Sequence, residues 1–416
     1  MSGGATARGL ARSAREEGGA RASLGIDAFL AAPERYLAAG RRVALLTNQA
    51  ALTSAGVPTL EAVRCAPGVE LVSLLTPEHG FSGYEDDATP IGDRRDPRTG
   101  LALQSLYGPR RRPTPAALAA VDAVIVDLQD VGVRCYTYPT TAALVCEAAA
   151  EAGRRVVLCD RPNPLGPRVD GPMLEPARRS FIGYLDVPFQ HGLSMGAAVA
   201  RGTLGGGGLV VAPAAGWEPG SSDPVLPGAV PLPFVPPSPG LPTPAAVALY
   251  PGLVLLEGTN LNEGRGTTLP FQLLGAPWLD GYELAGALTE LGVPGLRFRP
   301  VSYVPRSDTH AGETCHGVHL LVEDGAALRP LPALVRILRH VRETHPEEFS
   351  WVLAADKPWS KLPGAGEPWH EPVTGHLVDA LTGDDSVRRV VEGEVPLEQA
   401  QAAWSAAAEG WRRTLG

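Results

Sequence analysis

At 416 residues and a formal net charge of −9, the chain is long enough for two or three domains, each with its own core. A 44% hydrophobic and 19% charged composition describes a globular protein, and the acidic balance, with a pI near 5.6, excludes nucleic acid or an anionic membrane surface as the main partner. The five cysteines (Cys65, Cys135, Cys146, Cys159, Cys315) are scattered, mostly inside apolar runs and without a CxxC pair, so they read as buried thiols and not as a zinc or redox framework.

Residues 1–24 are small, charged and glycine-rich, with Arg8, Arg12 and Arg15 but no apolar stretch of signal-peptide length. They are expected to form a disordered arm. No later run approaches membrane-spanning length, and a cytoplasmic location is expected. A helix is predicted over 26–39, and RRVALLTNQ (41–49) then reads as a strand opening into a polar loop at Thr47, Asn48 and Gln49. The pattern recurs: 69–75 ends in Thr76, Pro77, Glu78, His79 and Gly80, 123–126 in Asp127 and Asp130, and 155–159 in Asp160, Arg161 and Asn163. Helical patterns near 59–65, 114–120 and 141–152 separate these strands. Such alternation predicts an α/β fold with a parallel, Rossmann-like sheet and right-handed crossovers. Ligands bind beyond the carboxyl ends of such strands, where all these polar clusters fall.

The run Gly205–Gly208 follows a helix and precedes a strand at 209–212, the reverse of a dinucleotide fingerprint, so no nicotinamide or other cofactor is expected. A proline-rich crossing segment (214–243) then divides a Rossmann-like domain (25–213) from a smaller α+β domain (244–416). Within the latter, LVLLEGTNLNEGRGTTLP (253–270) is predicted as a buried strand emptying into Glu257, Asn260, Asn262, Glu263 and Arg265, with Gly258, Gly264 and Gly266 between them. Two carboxylates, two amides and a guanidinium on a glycine-rich loop suit a polar, many-hydroxyl ligand. Helices near 282–291, 331–343, 374–382 and 397–415 and strands near 296–304 and 317–322 complete the chain.

Gly192-Leu193-Ser194-Met195-Gly196 matches a G-x-S-x-G nucleophile elbow, with Asp308 and His310 as triad partners, and so offers a serine esterase as a rival. The preceding VPFQH is broken by Pro188, and Ser194 serves equally as the cap of a helix running to Arg201. His191 lies in a glycine-flanked loop suited to a pocket. His316 and His319, three apart on a strand, point to opposite faces, and no metal is expected. Asp127, Asp130 and Arg134 form either a structural ion pair or a pocket edge, beside Tyr136 and Tyr138 as a sugar-stacking wall.

The series LLTNQAALT (45–53), TPEHGF (76–81), SLYG (105–108), DLQDVGVRCYTY (127–138), DRPNPLG (160–166), SFIG (180–183), HGLSMG (191–196), VPPSPG (235–240) and LEGTNLNEGRGTTLPFQLLGAPW (256–278) resembles the exo-β-N-acetylmuramidase family, formerly a domain of unknown function. The motifs cover nearly the whole chain after the arm. The resemblance departs from the family pattern at Leu75-Thr76, at Ser194 where threonine is common, and at Gly240 where asparagine is expected. It implies a glycosidase that removes N-acetylmuramic acid from the non-reducing end of peptidoglycan fragments in cell-wall recycling, with peptidoglycan-derived disaccharides or muropeptides as partners. A muropeptide-binding protein without turnover is the alternative. Glycoside cleavage needs a carboxyl that keeps a proton beside the leaving oxygen. Glu78 is expected in that role, with His79 orienting it, Gly80 admitting the ligand, and Glu263, Glu257 or Asp130 as partner. Arg265, or failing that Arg134, is expected to hold the lactyl carboxylate. Asn48, Tyr136, Asp160, His191, Asn260 and Asn262 are expected to line the substrate.

Overall fold

The computed structural model describes residues 23–38, 40–83, 92–108, 110–203, 208–215, 234–357 and 374–414. Residues 1–22 of the expected arm, 205–207 of the glycine run and 216–233 of the proline-rich crossing lie outside the described residues.

The first half runs α1 (Gly25–Ala31), α2 (Pro33–Leu37), β1 (Arg42–Thr47), α3 (Thr59–Arg64), β2 (Glu70–Thr76), β3 (Arg94–Arg95), β4 (Ala102–Ser105), α4 (Pro115–Ala119), β5 (Ala123–Asp127), α5 (Thr137–Glu151), β6 (Arg155–Cys159), α6 (Met195–Gly202) and β7 (Leu209–Ala212). The predicted single helix over 26–39 is two. Pro33 opens α2, and the residue before a proline is driven out of helical geometry, as Ala32 is at φ −154°. The strands order β3-β4-β2-β1-β5-β6-β7, all parallel except the two-residue edge β3. Without that edge the order is the doubly wound one, and its direction reverses between β1 and β5, where such sheets open a ligand crevice.

Alternate side chains along the central strands serve two cores. Val43, Leu45, Leu74, Ile125 and Val157 face Ile26 and Phe29 of α1 and Leu60 of α3. Ala44, Leu46, Leu75, Val124 and Leu158 face the other way, into a core that also takes Val145 of α5 and much of the second half.

That half contains α7 (Pro244–Leu253), a 3₁₀ turn (Val254–Gly258), β8 (Leu273–Ala276), α8 (Gly281–Glu290), β9 (Leu296–Tyr303), β10 (Cys315–Val322), α9 (Pro330–Thr344), α10 (Leu377–Thr382), α11 (Ser386–Val391) and α12 (Leu397–Arg413). An antiparallel sheet, β8-β10-β9, is its only sheet among the described residues. The strand predicted from Leu253 is absent. Thr243 caps α7 by accepting from the Ala246 N–H, Pro244 starts it, and the apolar run continues helically through Gly258. An apolar run buried all round has no period with which to distinguish strand from helix. Among the described residues no helix is long and apolar enough to cross a membrane.

Candidate active site

Glu78 leaves the carboxyl end of β2 through a tight turn, closed by the Gly80 N–H donating to the Pro77 carbonyl at 3.2 Å. His79 is buried and takes a left-handed φ of 66°, followed by Gly80 at 72°. Thr137, the first residue of α5, donates its hydroxyl to Glu78 Oε2 at 2.7 Å. This bond orients the carboxyl at the N-terminus of α5. One residue on, the Tyr138 hydroxyl receives a hydrogen bond from Asn48 Nδ2 at 2.9 Å and donates to the Pro237 carbonyl at 2.8 Å. The loop after β1, the N-terminus of α5 and the segment entering the second half are thereby tied together at the sheet's reversal point.

A row of aromatic rings carries this wall across to the second half. Tyr138 packs on Tyr136 with centroids 4.7 Å apart, Tyr136 meets Tyr250 of α7 edge-on at 6.0 Å, and Tyr250 meets Phe271 at 5.0 Å. All four rings are buried, so the Tyr136–Tyr138 pair joins the halves instead of standing open as a stacking face. The Arg265 guanidinium lies 4.7 Å from the centre of Phe271. Its Nη1 donates to both Glu257 Oε1 and Glu263 Oε1 at 2.8 Å. One cation thus serves two carboxylates. Glu263 is 1% exposed, and burial, opposed by Arg265 but reinforced by Asp308 and Glu257, pushes its carboxyl up to about 7.

The other expected site residues are placed differently. Asp130 and His191 are buried together, and burial, reinforced by Tyr138, Tyr250 and Asp130, pushes the nearby Tyr136 phenol up. His191 Nδ1 accepts from the Leu193 N–H, so Nε2 carries the proton and stands 3.2 Å from Asp130 Oδ2, off the line of a full hydrogen bond. Asp127 pairs with Arg161 and not with Arg134. Arg134 is a correction: wholly buried, it donates to the carbonyls of Pro172, Val187 and Thr382 and is a strut between the two halves, not an anion-binding group. Asp160 accepts from the Ser194 hydroxyl and the Gly196 N–H, and so anchors the start of α6; burial raises its carboxyl. Asn260 exchanges hydrogen bonds with the backbone of Glu348 and Ser350, and Asn262 with Thr309 and Gly264. Both amides hold loops.

The serine-esterase reading is not supported by this arrangement. Ser194 caps α6, accepting from the Ala197 N–H, while Asp308 pairs with Lys357 and His310 contacts the Asn260 carbonyl. Sequence reasoning missed Thr137, Tyr250 and Phe271. Thr137 lay unremarked inside the DLQDVGVRCYTY motif, and the two rings lie in apolar stretches that look like ordinary core. Among the described residues no three His, Cys, Asp or Glu side chains converge as a metal-ligand set.

Comparison with known proteins bears on the chain's family and fold. The family models described as exo-β-N-acetylmuramidase NamZ, N-terminal and C-terminal, match residues 43–245 and 248–415. The chain is 36% identical over 347 residues to the peptidoglycan β-N-acetylmuramidase NamZ of Bacillus subtilis (strain 168), covering 82% of each protein. Two DUF1343-family proteins from Bacteroides fragilis NCTC 9343 share the fold. One has a TM-score of 0.78 at 27% identity, over 94% of this chain and 97% of that one; the other has 0.66 at 26%, over 94% and 96%.

Proposed function

The chain belongs to the exo-β-N-acetylmuramidase family, and on that premise we propose that it is a glycosidase releasing N-acetylmuramic acid from the non-reducing end of peptidoglycan-derived disaccharides and muropeptide fragments. One observation supports this most directly: a single row of contacts runs from Glu78 through Thr137, the aromatic wall and Phe271 to Arg265 and its two carboxylates, joining the polar residues of the two halves.

Glu78 is the residue we assign to the leaving oxygen. Access decides between it and Glu263. Glu263 keeps a proton near neutrality, as a general acid must, but it is sealed beneath Arg265 at 1% exposure, whereas Glu78 is only part-buried at a strand's carboxyl end. Geometry is the first requirement of a general acid and proton affinity the second. As the C1–O bond breaks, Glu78 gives its proton to the departing oxygen, the electron pair of the bond leaves with that oxygen, and positive charge spreads over C1 and the ring oxygen. Water then bonds to C1, and the proton it releases restores the acid form of Glu78. While Glu263 keeps its proton, Glu257 balances the Arg265 cation, so the group does not oppose that positive charge.

The test is incubation with 4-nitrophenyl β-N-acetylmuramide and with the natural muramyl-glucosamine disaccharide. Release of nitrophenol, and of free N-acetylmuramic acid as the sole muramic product of the disaccharide, is expected. Saturable binding of the disaccharide without release would instead establish a binding protein.

A further inference from the structure

The Arg110-Arg111-Arg112 run splits in the fold. Arg110 pairs with Asp93 at 2.6 Å and Arg112 with Glu151 at 2.6 Å, both at the surface. Arg111 turns inward. It is 6% exposed, and its guanidinium carbon lies 4.2 Å from the centre of the Tyr107 ring and 4.0 Å from that of Phe181. Tyr107 is the buried leaf of this sandwich and Phe181 the part-exposed one. Hydrogen bonds from the Tyr107 N–H to Ser105 Oγ and from Ser105 Oγ to the Tyr107 carbonyl fix the turn that presents it.

Among the described residues Arg111 makes no ion pair, and its buried Nη1 has no hydrogen-bond partner. The contrast with Arg134 is informative. The structural Arg134 has carbonyl acceptors from three segments on its two Nη atoms, though its Nε is also unpaired, while Arg111 has two ring faces and an unpaired Nη1. Ring faces leave the in-plane N–H groups of a guanidinium open to a planar anion. β4 runs parallel to β2 with Ser105 beside Thr76, and the Leu106 N–H donates to the Thr76 carbonyl at 2.9 Å, so the Tyr107–Arg111 turn leaves the sheet at the same end as Glu78, two residues beyond Thr76. These residues bring the SLYG and SFIG motifs into the site, which the catalytic assignment leaves without a role.

We propose that Arg111, held between Tyr107 and Phe181, recognises the lactyl carboxylate of N-acetylmuramic acid and is the residue that distinguishes this sugar from N-acetylglucosamine. This rests on the muramidase reading above. Arg265 is replaced in that role because its Nη1 is shared between Glu257 and Glu263. In the sugar, one ring carbon separates C3, which bears the lactyl ether, from C1, so a carboxylate on Arg111 brings the scissile bond toward Glu78.

The test compares wild type, Arg111→Met and Arg111→Lys on 4-nitrophenyl β-N-acetylmuramide and on the same glycoside with its lactyl carboxylate converted to a methylamide. Loss of a charge-assisted contact predicts a fall in kcat/KM of about 10–100-fold for Arg111→Met on the acid, carried mainly by KM, and little change on the amide. Arg111→Lys, which keeps the charge in place, restores part of the loss and covers the case in which the methionine variant does not fold. Calorimetric binding of free N-acetylmuramic acid against N-acetylglucosamine gives the same answer without turnover, so a failed muramidase reading is seen separately. Equal losses on acid and amide, or undiminished discrimination in binding, would make Arg111 a packing element and overturn the proposal.

Discussion

Replacing Glu263 by glutamine separates the burial of this carboxyl from its chemistry. Folded, Glu263 holds its proton up to about pH 7, against an ordinary value of 4.5. Folding therefore takes up a proton between those pH values. The stability associated with that proton is fully present below pH 4.5 and is lost as pH rises through 7. With each pH unit of displacement worth about 1.4 kcal/mol, the loss is about 3 kcal/mol, and the group is too deeply buried for solvent to screen it. Glutamine has the same shape and still accepts from Arg265, but it has no proton to lose. Relative to wild type, Glu263→Gln should gain about 3 kcal/mol of stability between pH 4.5 and pH 8, read as the difference between urea unfolding curves followed by tryptophan fluorescence. Parallel pH dependences would refute the reasoning. Turnover of the natural disaccharide by the variant should stay within about 10-fold of wild type, because Glu263 positions Arg265 and does not reach the substrate; a loss of ~10²–10⁴-fold would instead mark Glu263 as the acid.

Glu78→Gln should lower turnover of the natural disaccharide by ~10²–10⁴-fold while partly sparing the nitrophenyl glycoside, whose leaving group needs little protonation; wild-type rates on the disaccharide would remove Glu78 from the mechanism. Ser194→Ala should lower stability by about 1 kcal/mol through loss of the α6 cap, with disaccharide hydrolysis within threefold of wild type, and a hundredfold loss would revive a serine nucleophile. Gly383→Ala places a methyl 2.1 Å from Arg134 Nη2 at a residue with φ 90°. It should cost about 3 kcal/mol in urea unfolding, and the cost should shrink in an Arg134→Met background, where the clash is gone.

The parallel half was legible because β1, β2, β5 and β6 are short, largely apolar runs that end abruptly in polar residues, with Asn48 after β1 and Glu78 after β2. Strand order was not, since hydrogen-bond pairing between β1 and β5 leaves no local mark. The half-exposed β4 escaped notice, and the run from Leu253 was misread, for opposite reasons: one carries too little apolar signal, the other too much of it without a period. Arg134 looked like a ligand-binding residue because its three acceptors are supplied by segments about 40, 50 and 250 residues further along the chain. Asn260 and Asn262 misled in the same way. An amide on a glycine-rich loop is as well suited to holding that loop as to holding a sugar, and the backbone partners that decide the matter come from the loops near 309 and 348–350.

Backbone strain supplies the link between that shared packing and catalysis. Among the described residues, the non-glycine positions with left-handed φ are Ala38, His79, Phe271, Asp308 and His310. His79 follows Glu78, Phe271 lies under Arg265, and Asp308 raises the proton affinity of Glu263. Such conformations cost of order 1–3 kcal/mol each and persist only where the surroundings over-determine them. Phe271 shows how: its N–H donates to the Glu263 carbonyl at 2.7 Å while its ring is held by Tyr250 and Arg265. Tyr250 belongs to α7 and reaches Tyr136 of the parallel half, so relaxing Phe271 would unseat Arg265 and open the junction together. The core common to both halves is therefore what ties the wall beside Glu78 to the turn that carries Arg265 and its two carboxylates.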